Sequence, residues 1–249
     1  MPLCTELRAR VTGRVETPAA AELSGLVASR TRRGLLWTHN DSGDSARLLA
    51  VGVDGRPRGE IQVPGAESVD WEDIAARRDT LFVGDIGDND SVRDRITVYR
   101  VRESGAAAGR LDLRYADGAH DAETLLVDPF DGSVAVVTKS FGGENRVYTA
   151  KGNTLRRGPL VPVTPGEAVT AGDVSADGRT VVLRSYDRAL VWTRRKGEPL
   201  ARALGRKPCV AGAELAEEGQ GEALALAADG RSFFTVAEGE RPPLRRYAP

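Results

Sequence analysis

The sequence predicts an all-β fold built from a repeated unit, and two observations support this prediction. Short acidic segments recur along the 249-residue chain at intervals of about 50 residues. Each is followed by short apolar runs that are separated by turn residues and show no helical periodicity. Four strands in a repeat of this length are typical of a β-propeller blade. The acidic residues that mark the repeats are Glu22, Glu72, Glu123, Asp173 and Glu222.

Every unit is predicted to contain the same succession of strands. The first strand follows the acidic residue, as at residues 124–127, and the second follows a turn, as at residues 134–138. In three units this turn is Asp-Gly, which is a strong hairpin signal between two apolar runs. A third strand follows in each unit. Weaker fourth strands are predicted at residues 60–63, 110–115, 154–159 and 199–204.

The two ends of the chain favour a closed ring over an open solenoid of the same period. The last unit has only three predicted strands, whereas residues 6–15 alternate like a strand and belong to no unit. We therefore predict that residues 6–15 form the outer strand of the last blade, whereas a solenoid would need polar caps. The expected architecture is a single five-bladed β-propeller domain over residues 1–249, with four-stranded antiparallel blades. The blades are predicted to start near residues 20, 70, 121, 170 and 220.

Composition and charge exclude several classes of protein. The chain is 41% hydrophobic and 29% charged, as in globular proteins, and its formal net charge of −1 favours neither nucleic acid nor an anionic membrane. No apolar run approaches the length of a membrane span, and the first 18 residues lack the apolar segment of a signal peptide. We expect a cytoplasmic monomer, with a secreted protein whose signal has been removed as the alternative. Cys4 and Cys209 are expected to be unpaired thiols, with one disulfide as the alternative.

The repeated acids should meet around the axis, because the first strand of each propeller blade lines the central channel. Two unit charges about 4 Å apart repel by about 4 kcal/mol at an effective dielectric near 20, so several such carboxylates need a cation or raised pKa values. An all-oxygen ligand set favours Ca²⁺. Alternatively, the acids cap strand starts and face solvent. The predicted metal ligands are Glu22, Glu72, Glu123, Asp173 and Glu222.

Two details of this acidic ring stay open at the level of sequence. The Asp-Gly turns align Thr170 with Glu222, whereas the spacing of the acids aligns Asp173 with it. Asp70 and Asp121 lie two residues before their glutamates, on the same strand face, and are interpreted as turn formers or as groups that support the ligands.

A second polar layer follows the second strand of each unit, where loops would surround the channel entrance. His39 and Asp85 are the candidate catalytic residues, since either side chain could transfer a proton. Lys139 and Arg184 could hold an anionic substrate group or could pair with the ring acids, and His120 is interpreted as incidental. The predicted substrate-binding residues are Asn40, Asp41, Asp88, Asn89, Lys139, Arg184, Tyr186 and Glu238.

Four motifs resemble a bacterial family of β-propellers that is loosely described as phytase-like or esterase-like. They are His39-Asn-Asp-Ser-Gly, Asp70-Trp-Glu-Asp-Ile-Ala, Gly84-Asp-Ile-Gly-Asp-Asn and Gln220-Gly-Glu-Ala. More distantly, the acidic ring is similar to that of calcium-dependent propellers, among them calcium-activated nucleotidases, arabinan-cleaving glycosidases, beta-propeller phytases and lactonases. The resemblance implies a propeller with an axial Ca²⁺ and leaves the reaction open.

These features together predict a Ca²⁺-dependent enzyme that hydrolyses an ester, phosphoester or lactone bond of a small, polar and in some cases anionic substrate. A bound ion would polarise a substrate oxygen or activate water. One alternative is a non-catalytic propeller that binds a ligand or protein around a structural cation, and another is a Ca²⁺-dependent lyase or cyclase. If the substrate is a glycoside, Asp85 and Glu238 are the predicted acid and base. No serine-nucleophile, phosphate-loop, dinucleotide or zinc motif occurs in the sequence.

Overall fold

The computed structural model describes residues 2–17 and 22–249, and its architecture is all-β, as predicted. The strands form five consecutive groups, which we call units 1 to 5. Unit 1 contains β2 (Leu23–Ala28), β3 (Leu35–Asn40), β4 (Arg47–Gly52) and β5 (Pro57–Gln62). Unit 2 contains β6 (Trp71–Arg77), β7 (Thr80–Asp85), β8 (Ile96–Arg102) and β9 (Ala107–Tyr115). The predicted start of the first blade near residue 20 lies outside the described residues.

The other three units repeat this arrangement. Unit 3 contains β10 (Ala122–Val127), β11 (Val134–Thr138), β12 (Arg146–Lys151) and β13 (Thr154–Leu160). Unit 4 contains β14 (Ala171–Val174), β15 (Thr180–Arg184), β16 (Ala189–Thr193) and β17 (Cys209–Val210). Unit 5 contains β18 (Ala223–Leu226), β19 (Phe233–Val236), β20 (Pro243–Ala248) and, from the other end of the chain, β1 (Arg8–Arg14).

Adjacent strands within each unit run antiparallel. Within the described residues, units 1, 4 and 5 are separate four-stranded sheets, and units 2 and 3 together form one eight-stranded sheet. These two units are joined because β13 pairs in parallel with β9, with Thr154 opposite Arg114. In the same part of the chain, no helix has the length and apolar character needed to cross a lipid bilayer.

The units follow one another in a circle. The inner strand of each unit contacts the inner strand of the next, in the order β2, β6, β10, β14, β18 and back to β2. The N-terminal strand β1 pairs with β20, with Arg8 opposite Ala248, in the position predicted for residues 6–15. The first and last parts of the chain are therefore joined in one sheet.

The apolar core lies between successive units, because the inner strands are buried on both faces. Trp37 and Trp71 pack together between units 1 and 2, and Trp192 packs between units 3 and 4. A corresponding cluster joins unit 5 to unit 1 through side chains that include Leu26 and Phe234. Strands buried on both faces read in the sequence as short continuous apolar runs, which is the pattern from which they were predicted.

One predicted strand is wrong. Residues 199–204 contain the helix α1 (Leu200–Leu204) rather than a strand, and β17 supplies the outer strand of unit 4. Leu200, Ala203 and Leu204 are buried, and their spacing of three and four residues places them on one helix face. An apolar run this short fits a helix or a strand equally well at the level of sequence.

A disulfide joins Cys4, in the 3₁₀ helix Pro2–Cys4, to Cys209 in β17, across a sequence separation of 205 residues. The expectation of unpaired thiols is therefore wrong, and its alternative of one disulfide is correct. Close by, the Leu7 amide donates a hydrogen bond to the Gly212 carbonyl oxygen at 3.1 Å. The N-terminal segment is thus attached to unit 4 as well as to unit 5.

Removing this disulfide should destabilise the protein without changing its fold. We expect the Cys4→Ser, Cys209→Ser double variant to lose about 2–5 kcal/mol of unfolding free energy, because the cross-link restricts the unfolded chain. Urea unfolding of the oxidised wild type and of the variant measures the difference. Reduced wild type should match the variant, and equal midpoints for all three samples would contradict the prediction.

Candidate functional site

Carboxylates converge at one end of the inner strands, where Glu72 belongs to two overlapping groups. In one group, ligand oxygens of Asp41, Asp70 and Glu72 all lie within 4.8 Å of one another. In the other, Glu72 lies within the same distance of Asp121 and Glu123. Asp41 directly follows β3, and Asp70 and Asp121 directly precede β6 and β10. We call these five residues the carboxylate cluster.

Two β-bulges place the central glutamates of this cluster. The pairing of β6 with β7 shifts register between Trp71 and Asp73, so that Glu72 is the extra residue. Glu123 is the extra residue in the same way in the pairing of β10 with β11. A bulge redirects the side chain of its extra residue, and both glutamates are at most 3% exposed.

A protein cation neutralises one side of this end of the inner strands, which we call the channel mouth. The Lys139 ammonium lies 2.5 Å from Oε1 of Glu123 and 3.4 Å from Oε1 of Glu222, and the Tyr186 hydroxyl donates to the same Glu222 oxygen at 2.8 Å. Burial lowers the pKa of Lys139, but the carboxylates of Glu123 and Glu222 outweigh burial and raise it. Lys139 is therefore charged and engaged with the ring.

Burial and mutual repulsion nevertheless raise the pKa values of several carboxyl groups at this mouth, including those that Lys139 compensates in part. Burial, followed by the charges of Asp70 and neighbouring acids, raises the pKa of Asp41 to about 7. Burial and Glu123 raise the pKa of Glu72 well above its usual value. Burial and Glu222 raise the pKa of Glu123 to about 8 and that of Glu238 to about 7. These groups hold protons near neutral pH unless a cation replaces the protons.

Two oxygen atoms of the cluster are buried and lack a hydrogen-bond partner among residues 2–17 and 22–249. They are Oδ1 of Asp41 and Oε2 of Glu123. Glu123 is only 2% exposed, and an unsatisfied carboxylate oxygen in such a place is costly. A ligand set made only of oxygens, with two of them unsatisfied, fits a hard cation such as Ca²⁺.

The structure brings together three of the five predicted metal ligands, namely Glu72, Glu123 and Glu222. Glu22 is exposed at the rim, where its carbonyl oxygen accepts a hydrogen bond from the Asp41 amide at 2.8 Å and its charge helps to raise the pKa of Asp41. The bulge of unit 1 falls at Gly25 instead. Gly25 has a φ of 69°, and a Cβ there would lie 2.6 Å from Nε2 of His39. Unit 1 therefore has no room for a side chain at the position that Glu72 and Glu123 occupy.

Asp173 is separated from the cluster because it lies deeper along the axis. Its Oδ1 accepts a hydrogen bond from its neighbour Val174 and its Oδ2 accepts one from the Leu226 amide at 2.8 Å, while Arg30 pairs with it at 3.3 Å. Thr170, which precedes β14 as Glu222 precedes β18, is the counterpart of Glu222. The alignment by Asp-Gly turns therefore describes unit 4 correctly.

Sequence analysis missed a second deep aspartate, Asp73, which is fully buried. Its carboxylate accepts hydrogen bonds from the amides of Ile74 at 2.8 Å and Leu125 at 2.9 Å, so it links β6 to β10. Burial raises the pKa of Asp73 well above its usual value and that of Asp173 to about 6. The two aspartates satisfy amides of neighbouring inner strands, which is a structural role. The signal available in the sequence for Asp73 was its position directly after the ring residue Glu72.

The geometry does not support His39 as a proton-transfer residue. His39 has no exposed surface, its Nδ1 lies 3.0 Å from the Asn40 carbonyl oxygen, and its ring packs edge-on against Trp71. Burial lowers its pKa to about 4, so the ring is neutral at physiological pH. Substrate in the channel mouth could not reach it without a rearrangement of the core.

Asp85, Asp88 and Asn89 form a structured turn rather than an open site. Asp85 is 2% exposed and pairs with Arg93 at 2.7 Å. The Asp88 carboxylate accepts hydrogen bonds from the backbone amides of Val92 and Arg93. The Asp88 amide donates to Oδ1 of Asp121 at 2.9 Å and so helps to orient a cluster residue. Asn89 is exposed.

Asn40 also belongs to the loop framework. Its Nδ2 donates to Oδ2 of Asp44 at 2.8 Å, and its Oδ1 accepts a hydrogen bond from the Glu22 amide at 3.3 Å. It supports the backbone beside Asp41 and is 8% exposed.

The prediction that Arg184 binds substrate is contradicted by its position. Its side chain is completely buried and pairs with Glu218 at 2.9 Å, and it also donates to the Ala223 carbonyl oxygen at 3.2 Å. Glu218, which sequence analysis missed, accepts further hydrogen bonds from Thr235 and Arg245. Arg184 therefore belongs to a buried ion-pair network that joins units 4 and 5.

Comparison with solved structures shows that the fold is that of β-propeller proteins. A gluconolactonase of Xanthomonas campestris, XC5397, aligns with a TM-score of 0.55 and 13% identity over 97% of this chain and 89% of that chain. An auxiliary nutrient binding protein of Bacteroides thetaiotaomicron aligns with a TM-score of 0.54 and 10% identity over 92% and 69%. The WD40 repeats of RRP9 align with a TM-score of 0.50 and 9% identity over 98% and 97%. No protein-family model and no curated protein matched the sequence.

The raised pKa values predict an unusual pH dependence for protein treated with a chelator. Asp41, Glu123 and Glu238 hold protons in the folded state up to pH 7–8 but lose them near pH 4 when unfolded, so stability should fall as pH rises from 6.5 to 8. His39 acts in the opposite direction only below pH 6.5. Thermal unfolding in EDTA across this window measures the effect.

Variants at one cluster residue and one exposed residue test the origin of this pH dependence. Asp41→Asn should flatten the fall in melting temperature, because it removes one of the titrating groups. Asp90→Asn, in an exposed loop, should leave the fall unchanged. A wild-type melting temperature that stays constant or rises between pH 6.5 and 8 would show that these carboxyls do not titrate as described.

Proposed function

We propose that this chain is a five-bladed β-propeller that binds Ca²⁺ at its carboxylate cluster and hydrolyses a lactone or a related ester at the channel mouth. The observation that carries the proposal is the convergence of Asp41, Asp70 and Glu72 in a partly buried position. The circular order of the inner strands supports five blades, since each unit would be one blade.

We assign the cation to the group of Asp41, Asp70 and Glu72 because Lys139 already pairs with Glu123 and Glu222. Every charge that perturbs Asp41 strongly is another carboxylate. Asp70 is influenced by one cation, Arg93, but its pKa remains raised because burial has the larger effect. Asp41 and Asp70 are half-buried, so a substrate could approach an ion held there. When bound, Ca²⁺ would act as a Lewis acid that polarises the carbonyl oxygen of the substrate.

Glu238 is the best candidate for the proton acceptor, in place of His39. It is half-buried beside Glu222, and a pKa of about 7 suits a general base that works at neutral pH. It would take a proton from the water that attacks the carbonyl carbon. The ring carbon–oxygen bond of the lactone then breaks, its oxygen takes up a proton, and the product is a hydroxy acid.

Lys139 and Tyr186 hold Glu222 in place on the opposite side of the mouth. Lys139 keeps Glu123 and Glu222 compensated, and the Tyr186 hydroxyl orients the Glu222 carboxylate. The electrostatic field at Glu238 therefore depends on this pair. Lys139 is fully engaged with the ring acids, so its proposed role is to position them rather than to bind substrate.

The reaction class is supported by one structural neighbour and contested by another. The gluconolactonase favours a lactone substrate, although its 13% identity shows the fold alone. The nutrient binding protein favours the alternative of a binding propeller with a structural cation. A lyase or cyclase could use the same cluster, and product analysis separates it from a hydrolase.

We also propose that the protein folds in an oxidising compartment, which revises the expectation of a cytoplasmic location. The Cys4–Cys209 disulfide supports this proposal, because such bonds persist outside the reducing cytosol.

Calcium should stabilise the wild type through Glu72. At a hundredfold excess of Ca²⁺ over its dissociation constant, the unfolding free energy should rise by about 2.7 kcal/mol. Glu72→Gln should abolish this gain, because the neutral amide cannot supply the carboxylate that holds the ion. Asp90→Asn is the matched control with an intact cluster. Calorimetric titration that finds no stoichiometric Ca²⁺ on wild type would refute the metal assignment.

Hydrolysis should depend on Glu238. We expect Glu238→Gln to lower kcat on a responsive lactone by about 100-fold or more, as for loss of a general base. Glu240→Gln, two residues along the same loop and exposed, should keep wild-type activity. A panel of sugar lactones, aryl esters, phosphate esters and aryl glycosides identifies the substrate by chromatography of the product. Calcium binding without turnover of any panel member would instead favour a binding propeller.

A further inference from the structure

A polar cavity of about 410 Å³ opens beside the carboxylate cluster in unit 3. Its wall is formed by the end of β11, by β12 and β13, and by the loop that leads into β10. Its volume lies within the usual range for small-ligand pockets. Asp121 and Lys139 line both this cavity and the channel mouth, so the two spaces adjoin each other. Further lining residues include His120, Ser140, Arg146, Tyr148 and Arg157, together with the acids Asp117 and Glu144.

Two arginines of the cavity wall have guanidinium groups that are only weakly engaged by acids of the protein. Arg146 donates to the Gly158 carbonyl oxygen at 2.8 Å and, within the described part of the chain, makes no ion pair. Arg157 lies 3.8 Å from Oδ2 of Asp117, which is at the limit of an ion pair, and its side chain is 61% exposed. Guanidinium groups with free donors bind carboxylate and phosphate through paired hydrogen bonds.

A rigid polar network forms the adjacent wall. The Tyr148 hydroxyl donates to Oδ2 of Asp117 at 2.9 Å, and Nε2 of His120 lies 2.8 Å from that hydroxyl and 3.1 Å from Oδ1 of Asp117. The Tyr115 ring packs edge-on against both the His120 and the Tyr148 rings. The negative charge of Asp117 is thus offset by the Tyr148 hydroxyl, the His120 ring and, at a longer distance, Arg157, so it opposes an incoming anion less than a free carboxylate would.

A larger cavity beside unit 4 lacks these features. It has a volume of about 600 Å³ and is lined by Tyr186 and Arg188, together with Asp187, Glu214 and Glu217. Arg188 already forms an ion pair with Glu167. The cation in its wall is therefore already paired, whereas the cavity at Arg146 has two arginines beside its three acids, so an anionic group is expected to favour the cavity at Arg146.

We infer that the cavity at Arg146 and Arg157 binds a carboxylate or phosphate group of the substrate, while the reacting bond lies at the channel mouth. The position of the reacting bond in this inference rests on the proposed function, whereas anion binding at the two arginines does not. It narrows the substrate class to small polar esters or lactones that carry an anionic group. Arg146 and Arg157 are then specificity-determining residues, in the role that sequence analysis gave to Lys139 and Arg184.

The two histidines make this inference directly measurable. Because the chain has only two, a ¹H–¹³C spectrum resolves one His120 signal inside the cavity wall and one His39 signal buried in the core. Inorganic phosphate and gluconate are titrated separately into EDTA-treated protein at fixed pH and ionic strength. We expect one or both anions to shift the His120 signal saturably and to leave the His39 signal unchanged. The anion that binds more tightly distinguishes phosphate from carboxylate substrates.

Arginine variants assign the response to the cavity. Arg157→Gln, at an exposed position that does not threaten folding, and Arg146→Gln should each weaken binding at least about fivefold, which corresponds to about 1 kcal/mol. Arg156→Gln, the exposed neighbour on β13 that does not line the cavity, should bind like wild type. The inference is overturned if neither anion shifts His120 saturably, or if all three variants bind equally well. Since no metal is present in this assay, its result is independent of whether the cluster binds Ca²⁺.

Discussion

Mutual repulsion among carboxylates at one end of the inner strands is the constraint on which the rest of this site depends. Five acids of the cluster, with Glu222 and Glu238 beside them, occupy a space where burial weakens solvation and strengthens repulsion. On one side, Lys139 offsets this repulsion because its ammonium group pairs with both Glu123 and Glu222. On the other side, Asp70 is influenced by Arg93, but burial has the larger effect, and the charges that act on Asp41 are those of other carboxylates. The site is thus divided into a half with its own cation and a half that can take one up.

Below this mouth lie buried acids that pair with backbone amides and arginines of the protein itself. Asp73 and Asp173 accept amide hydrogen bonds from neighbouring inner strands, and Arg30 pairs with Asp173. Arg184 and Glu218 make a comparable buried pair between units 4 and 5. The carboxylates in these pairs all have hydrogen-bond partners and hold neighbouring strands in register. The unsatisfied oxygens of Asp41 and Glu123 at the mouth therefore differ in kind from the deeper acids.

Polar side chains that look alike in sequence therefore divide into two groups by depth. His39 and Arg184 were attractive candidates because each is chemically capable, yet both are completely buried. Arg146 and His120 drew little attention in the sequence, but both line a cavity next to the cluster. Arg146 and His120 differ from His39 and Arg184 because they face an open cavity. Whether a side chain faces a cavity depends on how the loops of one unit fold against the next.

The sequence by itself determined the repeat, most strands and the circular closure, because apolar runs, Asp-Gly turns and an unpaired first strand are local or periodic signals. It also located Glu72, Glu123 and Glu222 at the axis, since equal spacing in a ring of equal units brings equivalent residues together. Only the tertiary structure determined which acids lie at the same depth along the axis. A single bulge residue reverses the face to which later side chains point. The bulge at Gly25 therefore leaves Glu22 at the exposed rim and not among the buried glutamates, and the simple register of β14 puts Asp173 deeper than Glu222. The Cys4–Cys209 bond was decided in the same way, because 205 residues separate its partners and only the closed ring brings them together.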